Sequence, residues 1–324
     1  MSQDIFVVIE HLRGQVADIS YTMLAAGRSL AAGGEGKVVA VLLGHNAQGL
    51  AANLNADQVY SIDDPVFSDF NADAYRQALM DLISKHVPRL VLFGDTSIGS
   101  EVACLLAAHL DMPIVSYCRS IHSEDGTLKF TSQVCGGKIM VKGDLPAPTV
   151  LVMMIPGGYK PEQGYSAQPP EIISVKTPAL QKPRVTLKQY IEPDASDIDI
   201  TKEPILISIG RGIQNQDNIA LAQELADALG GVLSASRPVV DQGWLPATRL
   251  VGKSGKRVKA KVYLTLGISG APEHVEAITN CETVVAVNTD PGAPIFEVAQ
   301  YGIEADLLDL LPVLTEAVQQ AKGG

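Results

Sequence analysis

Short apolar runs alternate with amphipathic stretches through the beginning of the chain. Four of the runs are rich in β-branched residues, which predicts buried strands. They cover residues 5–9, 37–44, 59–62 and 89–94. The stretches at about 15–31 and 72–85 predict helices, and in the first of them apolar residues recur at spacings of three and four. This alternation is typical of a parallel sheet covered by helices.

The pattern changes after residue 110. Four strand-like runs follow with turns between them, and we expect them to extend or edge the same sheet. They cover residues 114–118, 128–134, 138–141 and 149–155. From Pro156 to about 203 the chain is rich in proline, glycine and charge, with strand-like stretches at 171–175 and 184–191. This composition predicts a segment that closes the first domain, followed by an interdomain linker.

A second domain is predicted from residue 204 onward. Three apolar runs, at 204–210, 261–270 and 283–290, each lead into a polar, glycine-bearing loop, and helices are expected at about 217–229 and 272. Such strands predict an open α/β sheet whose carboxyl edge forms a ligand crevice. The predicted fold is therefore α/β with two domains. An N-terminal, nucleotide-binding-like parallel-sheet domain covers 1–198, with closing segment and linker at about 156–203, and a C-terminal Rossmann-like domain covers 204–324.

Composition narrows the class of protein. The 324 residues are 46% hydrophobic and 19% charged, which is enough apolar material for globular cores. A formal net charge of −11 argues against a nucleic-acid partner, because phosphate binding needs a clustered basic surface. The N-terminus lacks the features of a secretory signal, and no apolar run approaches the roughly 20 residues of a membrane span. We therefore expect a cytoplasmic protein without a membrane span.

Familiar catalytic and binding motifs are incomplete. GRGIQN at 210–215 opens like a dinucleotide fingerprint but lacks the third glycine. GKS at 252–254 ends like a P-loop, but Ala247 stands where the first glycine is needed. No CxxC, GxSxG or HExxH is present, and the histidines are scattered singly. The sequence thus offers no hydrolytic triad and no metal site.

The second domain does contain small, polar and cationic side chains, most of them just after predicted strands. At such positions backbone N–H groups and helix N-termini can hold a pyrophosphate. The candidates are Arg211, Ser236, Arg237, Lys253, Ser254, Ser269, His274, Asn288 and Asp306. Structural explanations stay open beside this one: Arg211 can bridge loops, Ser269 can start a helix, and His274 can be an exposed surface histidine. The basic stretch from Lys253 to Lys261 can be a solvated loop face.

Four segments carry a more specific signal. They are GRG (210–212), LGGVLSASRPVVDQGWLP (229–246), VGKSGKRVKAKVYLTLGISGAPEHV (251–275) and VAVNTDPGAPIFEVAQYGIEADLLDLLP (285–312). In this order they resemble the FAD domain of electron transfer flavoprotein α subunits, the large, FixB-like subunits. The first domain resembles the same family less distinctively, through VIEH (8–11) and its general course to about residue 190.

The resemblance implies that FAD lies extended in the second domain. Ser236, Arg237, Ser254, Ser269 and His274 correspond to family positions near the flavin and pyrophosphate, and Asn288 and Asp306 to positions that hold the adenosine end. Arg211, Lys253, Gly267 and Glu273 complete the implied cofactor-binding set. Arg237 is expected beside the isoalloxazine and His274 near its pyrimidine edge, where a positive charge stabilises the anion formed by reduction.

The resemblance also implies the partners. An α subunit of this family pairs with a β subunit, which holds AMP or, in electron-bifurcating members, a second FAD. The pair accepts electrons from a flavin dehydrogenase of the acyl-CoA dehydrogenase type and passes them to an oxidoreductase or quinone-linked acceptor. The chain would then be an electron carrier rather than an enzyme in its own right.

The sequence departs from the family near the expected flavin. Where the family segment usually reads QVGQTG, Leu250, Lys253 and Ser254 stand at the first, fourth and fifth positions, and Glu273 replaces a common glutamine. These changes remove amides and can add a cation and an anion. A nucleotide-binding sensor that has lost redox function is therefore one alternative. An NADH-dependent flavin reductase is another, although the missing third glycine argues against it.

Overall fold

A computed structural model describes residues 2–33, 36–135, 139–190 and 198–323 of the chain. Of these, residues up to 134 and from 139 to 190 form one compact unit, and residues from 198 onward form a second. Residues 191–197, within the predicted linker, lie outside the described residues. None of the described helices is both long enough and apolar enough to cross a membrane.

The first unit is built on a mixed sheet with helices on both faces. Its strands are β1 (Ile5–Val8), β2 (His11–Leu12), β3 (Gln15–Val16), β4 (Val38–Gly44), β5 (Gln58–Asp63), β6 (Leu90–Gly94), β7 (Ile114–Glu124), β8 (Thr127–Val134), β9 (Ile139–Asp144), β10 (Val150–Met154) and β11 (Glu171–Ser174). Its helices are α1 (Asp18–Ala31), α2 (Ala72–His86) and α3 (Ser97–Leu110).

The large sheet has the strand order β11-β5-β4-β1-β6-β10-β7-β8-β9. Its pairs are parallel except for β7–β8 and β8–β9. The central strands are buried on both faces because one apolar cluster packs them against α1 and another against α2 and α3. The α/β prediction is thus confirmed for this unit, and the runs after residue 110 do extend the same sheet.

Two details differ from the predicted elements. Helix α1 begins at Asp18 rather than near 15, because residues 15–16 pair with His11–Leu12 in a small hairpin. The stretch at 184–190 is not a strand. It runs beside α2, where Asp73 binds Arg184 and the Asn71 amide donates to the Val185 carbonyl.

The second unit contains a separate parallel sheet. Its strands are β12 (Ile205–Ile209), β13 (Val232–Ala235), β14 (Val262–Leu266), β15 (Thr283–Asn288) and β16 (Tyr301–Glu304). Its helices are α4 (Ile219–Leu229), α5 (Arg237–Asp241), α6 (Pro272–Val275) and α7 (Leu307–Gly323). The three apolar strands that the sequence predicts form the centre, and β13 and β16 are additional edge strands.

The order of this sheet, β13-β12-β14-β15-β16, fixes where a ligand can bind. The chain goes from β12 to β13 on one side and then crosses to β14 on the other. The loops after β12 and β14 therefore diverge, and a crevice opens between them at the carboxyl edge. Apolar clusters cover both faces of the sheet, so the edge is where polar chemistry remains accessible.

The stretch at 181–190 gives a testable prediction because polar contacts hold it to α2. Besides the Asp73–Arg184 pair, the Gln77 side chain accepts from the Gln181 backbone N–H at 2.7 Å. We expect Asp73→Asn to increase the rate of tryptic cleavage after Arg184 and Lys188 several-fold, since the stretch then opens more often. Mass spectrometry of timed digests measures the rate at each bond.

Asp81→Asn is the matched control, because Asp81 pairs with Lys85 on the exposed side of the same helix. Equal cleavage in the two variants would mean that the Asp73–Arg184 pair does not hold this stretch.

Candidate functional site

The candidate residues of the second unit gather at the carboxyl edge of its sheet. Arg211 follows β12, Ser236 and Arg237 follow β13, Gly267 and Ser269 follow β14, Asn288 ends β15, and Asp306 follows β16. Lys253 and Ser254 lie in the loop before β14, and Glu273 and His274 lie in α6. Five parallel strands thus deliver their loops to one edge, as predicted for a ligand crevice.

The crevice is built on direct backbone contact between the loops after β12 and β14. The Gly212 N–H donates to the Gly267 carbonyl at 3.1 Å. A Cβ atom on Gly210 would lie 2.3 Å from the Gly267 oxygen, and one on Gly212 would lie 2.7 Å from the Gly267 Cα. Gly267 itself has a φ of +65°, which L-residues rarely adopt. We call the place between β12 and β14, where the strand order reverses, the switch point. The three glycines leave main chain, rather than side chains, at this point.

Arg237 and Ser254 come together beside this crevice. The Arg237 Nη1 atom lies 3.5 Å from the Ser254 Oγ, and its Nε donates to the Asp241 carboxylate at 3.2 Å. The Arg237 side chain is 67% exposed, so its charge remains available to an incoming group. Ser236, one residue earlier, is buried against the Ile209 carbonyl.

Lys253 and Glu273 are joined through their main chains. The Lys253 N–H donates to the Glu273 carbonyl at 2.8 Å, which ties the loop before β14 to α6. Both residues are exposed. The two departures from the family therefore place a cation and an anion on adjacent segments of the same edge.

His274 is buried, so its interpretation as an exposed surface histidine is wrong. Only 6% of the residue is exposed, because α6 packs on the apolar face that contains Tyr263. Its Nδ1 lies 3.1 Å from the Val251 carbonyl and its Nε2 lies 3.0 Å from the Tyr263 hydroxyl. Burial lowers the pKa of His274 to about 4. In this structure it is a neutral group at pH 7 and not the cation expected from the sequence.

Asn288 and Asp306 organise the other end of the edge. The Asn288 amide donates to the Ile268 carbonyl at 3.0 Å, beside Ser269, and its oxygen accepts from the Asp290 N–H. One Asp306 carboxylate oxygen accepts from the Leu308 N–H and caps α7. The Ala305 N–H donates to the Asn288 carbonyl, so these two candidates are close neighbours.

The contacts divide the candidates into two groups. Direct or main-chain contacts join Arg237 to Ser254 and Lys253 to Glu273, and His274 contacts Val251 in the same loop. A second group follows bonds from Gly212 to Gly267, from Asn288 to Ile268 and from Ala305 to Asn288. Arg211, Ser269 and Asp306 each lie one residue from one of these bonds. Ser236 directly precedes Arg237 and bonds to the Ile209 carbonyl at the end of β12.

Several contributors to this edge were not among the residues predicted from the sequence. Gly210 and Gly212 make the close approach to Gly267, Asp241 pairs with Arg237, and Tyr263 binds His274. Tyr263 occurs in an apolar strand and has no distinguishing sequence signal. The spacing of Asp241 four residues after Arg237 on a helix does indicate an ion pair.

Family models match most of the chain. A model described as the electron transfer flavoprotein domain matches residues 5–185, and one described as the electron transfer flavoprotein FAD-binding domain matches residues 199–279. The chain belongs to the electron transfer flavoprotein α-subunit family. The resemblance noted in the sequence is thereby confirmed, and an electron-transfer role follows from membership.

Curated relatives of this flavoprotein subunit match over nearly their whole length. The electron transfer flavoprotein subunit alpha of Thermoanaerobacterium thermosaccharolyticum is 33% identical over 99% of both chains. That of Methylophilus methylotrophus is 35% identical over 94% of this chain and 96% of its own. The acryloyl-CoA reductase electron transfer subunit beta of Anaerotignum propionicum is 32% identical over 99% of this chain and 96% of its own.

The FAD-binding model matches only part of the candidate site of the flavoprotein subunit. Its range includes the candidates from Arg211 to His274 and ends before Asn288 and Asp306. The assignment of Asn288 and Asp306 to this edge therefore rests on their positions at the ends of the paired strands β15 and β16 and not on the family model.

The backbone contact at the switch point predicts an unusual sensitivity to a methyl group. Gly267→Ala adds a Cβ 2.6 Å from the Gly212 Cα at a left-handed position. We expect the free energy of unfolding to fall by about 2–5 kcal/mol, combining strain and overpacking. Urea unfolding followed by circular dichroism measures this change.

Gly243→Ala is the matched control, because Gly243 has a φ of +73° but open space around its Cβ. It should lose only about 1–2 kcal/mol, the cost of the left-handed conformation. Equal losses in the two variants would show that the loops are not in tight contact.

The burial of His274 predicts a pH dependence of stability. The folded state resists protonation down to about pH 4, whereas the unfolded histidine accepts a proton near pH 6.5. Stability contributed by neutral His274 is therefore complete above pH 6.5 and is lost as the pH falls toward 4. We expect the wild type to lose up to about 3 kcal/mol more than His274→Gln between pH 7 and pH 4.

Urea unfolding of both proteins across this pH range checks the prediction. His109→Gln, which removes an exposed histidine of α3 in the first unit, controls for the loss of an ordinary imidazole. Parallel pH curves for the wild type and His274→Gln would contradict the expectation.

Proposed function

We propose that this α subunit carries FAD in its second domain, residues 204–324, and shuttles electrons as a heterodimer with a β subunit. Electrons come from a flavin dehydrogenase of the acyl-CoA dehydrogenase type and leave to an oxidoreductase or quinone-linked acceptor. The observation that carries the proposal is the exposed Arg237–Ser254 pair beside the glycine-lined switch point, within residues matched by the FAD-binding model.

The donor groups at this edge fit a dinucleotide. A pyrophosphate needs close approach of backbone amides, which bulky side chains would prevent, and Gly210, Gly212 and Gly267 leave that space. Arg211 is exposed immediately beside them and supplies a cation. In the proposal, Ser236 and Ser269 supply hydroxyls to the same pyrophosphate and flavin region.

Asn288 and Asp306 would hold the adenosine end. Their proximity at the ends of β15 and β16 provides an amide and a carboxylate, which suit ribose and adenine groups. Asp306 uses one carboxylate oxygen to cap α7, so we assign its other oxygen to the ligand.

Bound FAD supplies a ring system that accepts and releases electrons, and the chain sets how much negative charge that ring can hold. Arg237 is the principal cation in the proposal. One charge at 4 Å contributes about 1 kcal/mol in a water-like dielectric and about 4 kcal/mol at an effective dielectric near 20. Because Arg237 is largely exposed and paired with Asp241, its contribution lies within this range.

The remaining candidates have smaller electrostatic roles. His274 orients its ring between Val251 and Tyr263 and acts as a neutral hydrogen-bonding group. Lys253 and Glu273 carry opposite charges on joined segments, so their long-range fields partly cancel.

The partner assignment rests on the names of the relatives. The relatives from Thermoanaerobacterium thermosaccharolyticum and Methylophilus methylotrophus are named as alpha subunits, and the relative from Anaerotignum propionicum is named as an electron transfer subunit of acryloyl-CoA reductase. We infer by analogy that this chain has a β-subunit partner, holding AMP or a second FAD, and an acyl-CoA-linked redox partner. We assign the pair to the cytoplasm.

A visible spectrum of the chain co-expressed with its β subunit tests the proposal. Flavin absorption that is lost on anaerobic reduction and restored by an acceptor supports electron transfer. If the complex shows no flavin bands even after FAD is added, the proposal is wrong. A colourless isolated chain that binds AMP or ATP would indicate the sensor, and rapid bleaching of the isolated chain by NADH would indicate a reductase.

Replacing Arg237 should make the flavin harder to reduce. We expect Arg237→Ala to lower the flavin midpoint potential by tens of millivolts and by no more than roughly 170 mV, because a cation near the ring is lost. Anaerobic titration against reference dyes measures the potential. Lys322→Ala is the matched control, since Lys322 lies beside Gly230 at the far end of α4; a comparable shift in both variants would contradict a local role for Arg237.

A further inference from the structure

Two tyrosine rings of the first unit lie face to face. The ring centroids of Tyr21 and Tyr165 are 3.6 Å apart, and the two ring planes differ by 10°. Aromatic pairs in proteins prefer offset or edge-to-face arrangements, with centroids about 4.5–7 Å apart. A sandwich at the shorter distance therefore requires that the surrounding backbone hold both rings in place.

Direct backbone contact holds Tyr165 against helix α1. A Cβ atom on Gly164 would lie 2.0 Å from the Tyr21 carbonyl oxygen, so glycine is needed for the chain to pass this close to the helix. Tyr165 follows immediately and forms an antiparallel bridge with Leu54. The backbone on both sides of the Tyr165 ring is thus fixed by main-chain contacts.

Asn55 connects the backbone segments that carry the two rings. Arg28, on the same helix as Tyr21, donates from its Nε to the Asn55 carbonyl at 2.9 Å. The Asn55 N–H donates to the Gly164 carbonyl at 2.9 Å, and its side-chain amide donates to the Gln163 carbonyl at 2.8 Å. Helix α1 and the residues just before Tyr165 are therefore bonded to one asparagine, which keeps the stack in register.

The two rings differ in their access to solvent. Tyr165 is 46% exposed, whereas Tyr21 is buried in the apolar cluster that packs α1 on the sheet. Burial, followed by the adjacent Tyr165 phenol, raises the pKa of Tyr21 to about 12, so Tyr21 keeps its proton at neutral pH. An oxidant in solution reaches Tyr165 first, and Tyr21 is the ring in contact with it.

We propose that Tyr21 and Tyr165 form an oxidative cross-linking site, at which a one-electron oxidant converts the stacked pair into dityrosine. Oxidants of this class include the oxidised haem of peroxidases and photo-oxidised metal complexes. The inference goes beyond the proposed function and does not depend on a bound flavin.

The reaction removes two electrons and two protons from the pair. Each phenol gives one electron to an oxidant molecule and its hydroxyl proton to solvent, which leaves two phenoxyl radicals. A Cε carbon of one ring then bonds to a Cε carbon of the other, and the hydrogen of each of these carbons is replaced on a phenol oxygen. Because the rings are already in contact, the coupling step is effectively unimolecular.

Other tyrosines of the described chain separate the effect of stacking from that of exposure. Tyr60, Tyr75 and Tyr263 contact phenylalanine or histidine rings, which cannot form this product. Tyr301 is 66% exposed and thus more accessible to a dissolved oxidant than Tyr165. Exposure alone would favour Tyr301, whereas stacking favours a cross-link between Tyr21 and Tyr165.

Photo-oxidation of the full chain with tris(bipyridine)ruthenium and persulfate tests the site. We expect dityrosine fluorescence whose yield per molecule does not change on dilution, because both partners belong to one chain. Mass spectrometry of a digest should find the peptides of Tyr21 and Tyr165 joined, with a mass two hydrogens below their sum.

The conservative variants Tyr21→Phe and Tyr165→Phe each keep a stacked ring and remove one coupling partner. Each should lower the dityrosine yield at least about tenfold, since coupling then loses its intramolecular partner. Tyr301→Phe is the matched control and should keep the wild-type yield. Circular dichroism before oxidation verifies that each variant is folded.

Three results would overturn the inference. The first is a wild-type chain that forms no dityrosine, and the second is a yield that Tyr165→Phe leaves unchanged. The third is a product that joins Tyr301, or two separate molecules, in place of Tyr21 and Tyr165.

The cross-link should also stabilise the first unit. It would join α1 to the stretch after β10 and so enclose strands β4 to β10 in a covalent loop, which restricts the unfolded chain. We expect oxidised wild type to unfold at a higher urea concentration than oxidised Tyr165→Phe. Equal midpoints would mean that the bond forms only in molecules whose stack has opened, and would contradict the proposal.

Discussion

Backbone contact between two loops is the constraint on which the second unit depends. Parallel strands β12 and β14 place Gly210, Gly212 and Gly267 so close together that a Cβ atom on any of them would collide with main chain. The contact closes the base of the switch-point crevice and leaves backbone amides, rather than side chains, along it. The polar candidates that surround this crevice then owe their positions to the five strands. The sheet thus assembles a site from residues spread over nearly a hundred positions, from Arg211 to Asp306.

The sequence predicted those parts of the fold that have a local cause. Strands β12, β14 and β15 are continuous apolar runs, and each appears where the pattern indicated. Strand β13 has only four residues, although three of them are apolar, and β16 is exposed throughout, so neither forms a long apolar run. Residues 184–190 have strand-like composition, but contacts with α2 and not a neighbouring strand fix their course. Periodicity reports which residues face a core and cannot report which element pairs with which.

The candidate site shows the same division. Residue types and family resemblance selected Arg237 and Ser254, and these do meet at the carboxyl edge. The environment of His274 could not be predicted, because it depends on Tyr263 and Val251 from two other segments. Burial then reverses the expected electrostatics, since a histidine at the surface can be a cation whereas this one is neutral at pH 7. The charge of His274 therefore depends on the tertiary structure around it, even though its place at this edge could be predicted from the sequence.

The first unit carries different residues at the place where its strand order reverses. Its chain also reverses direction across the sheet, between β1 and β6. The group that stands there is Glu10, which accepts a hydrogen bond from the Thr96 hydroxyl at 2.6 Å and whose pKa is raised by burial. The crevice around it measures only about 10 Å³, close to the space of one water molecule. A phosphate would meet a carboxylate in this unit, whereas in the second unit it would meet glycine backbone and arginine. The two sheets therefore carry different residues at the edges where their strand orders reverse, a carboxylate in the first unit and glycine backbone with arginine in the second.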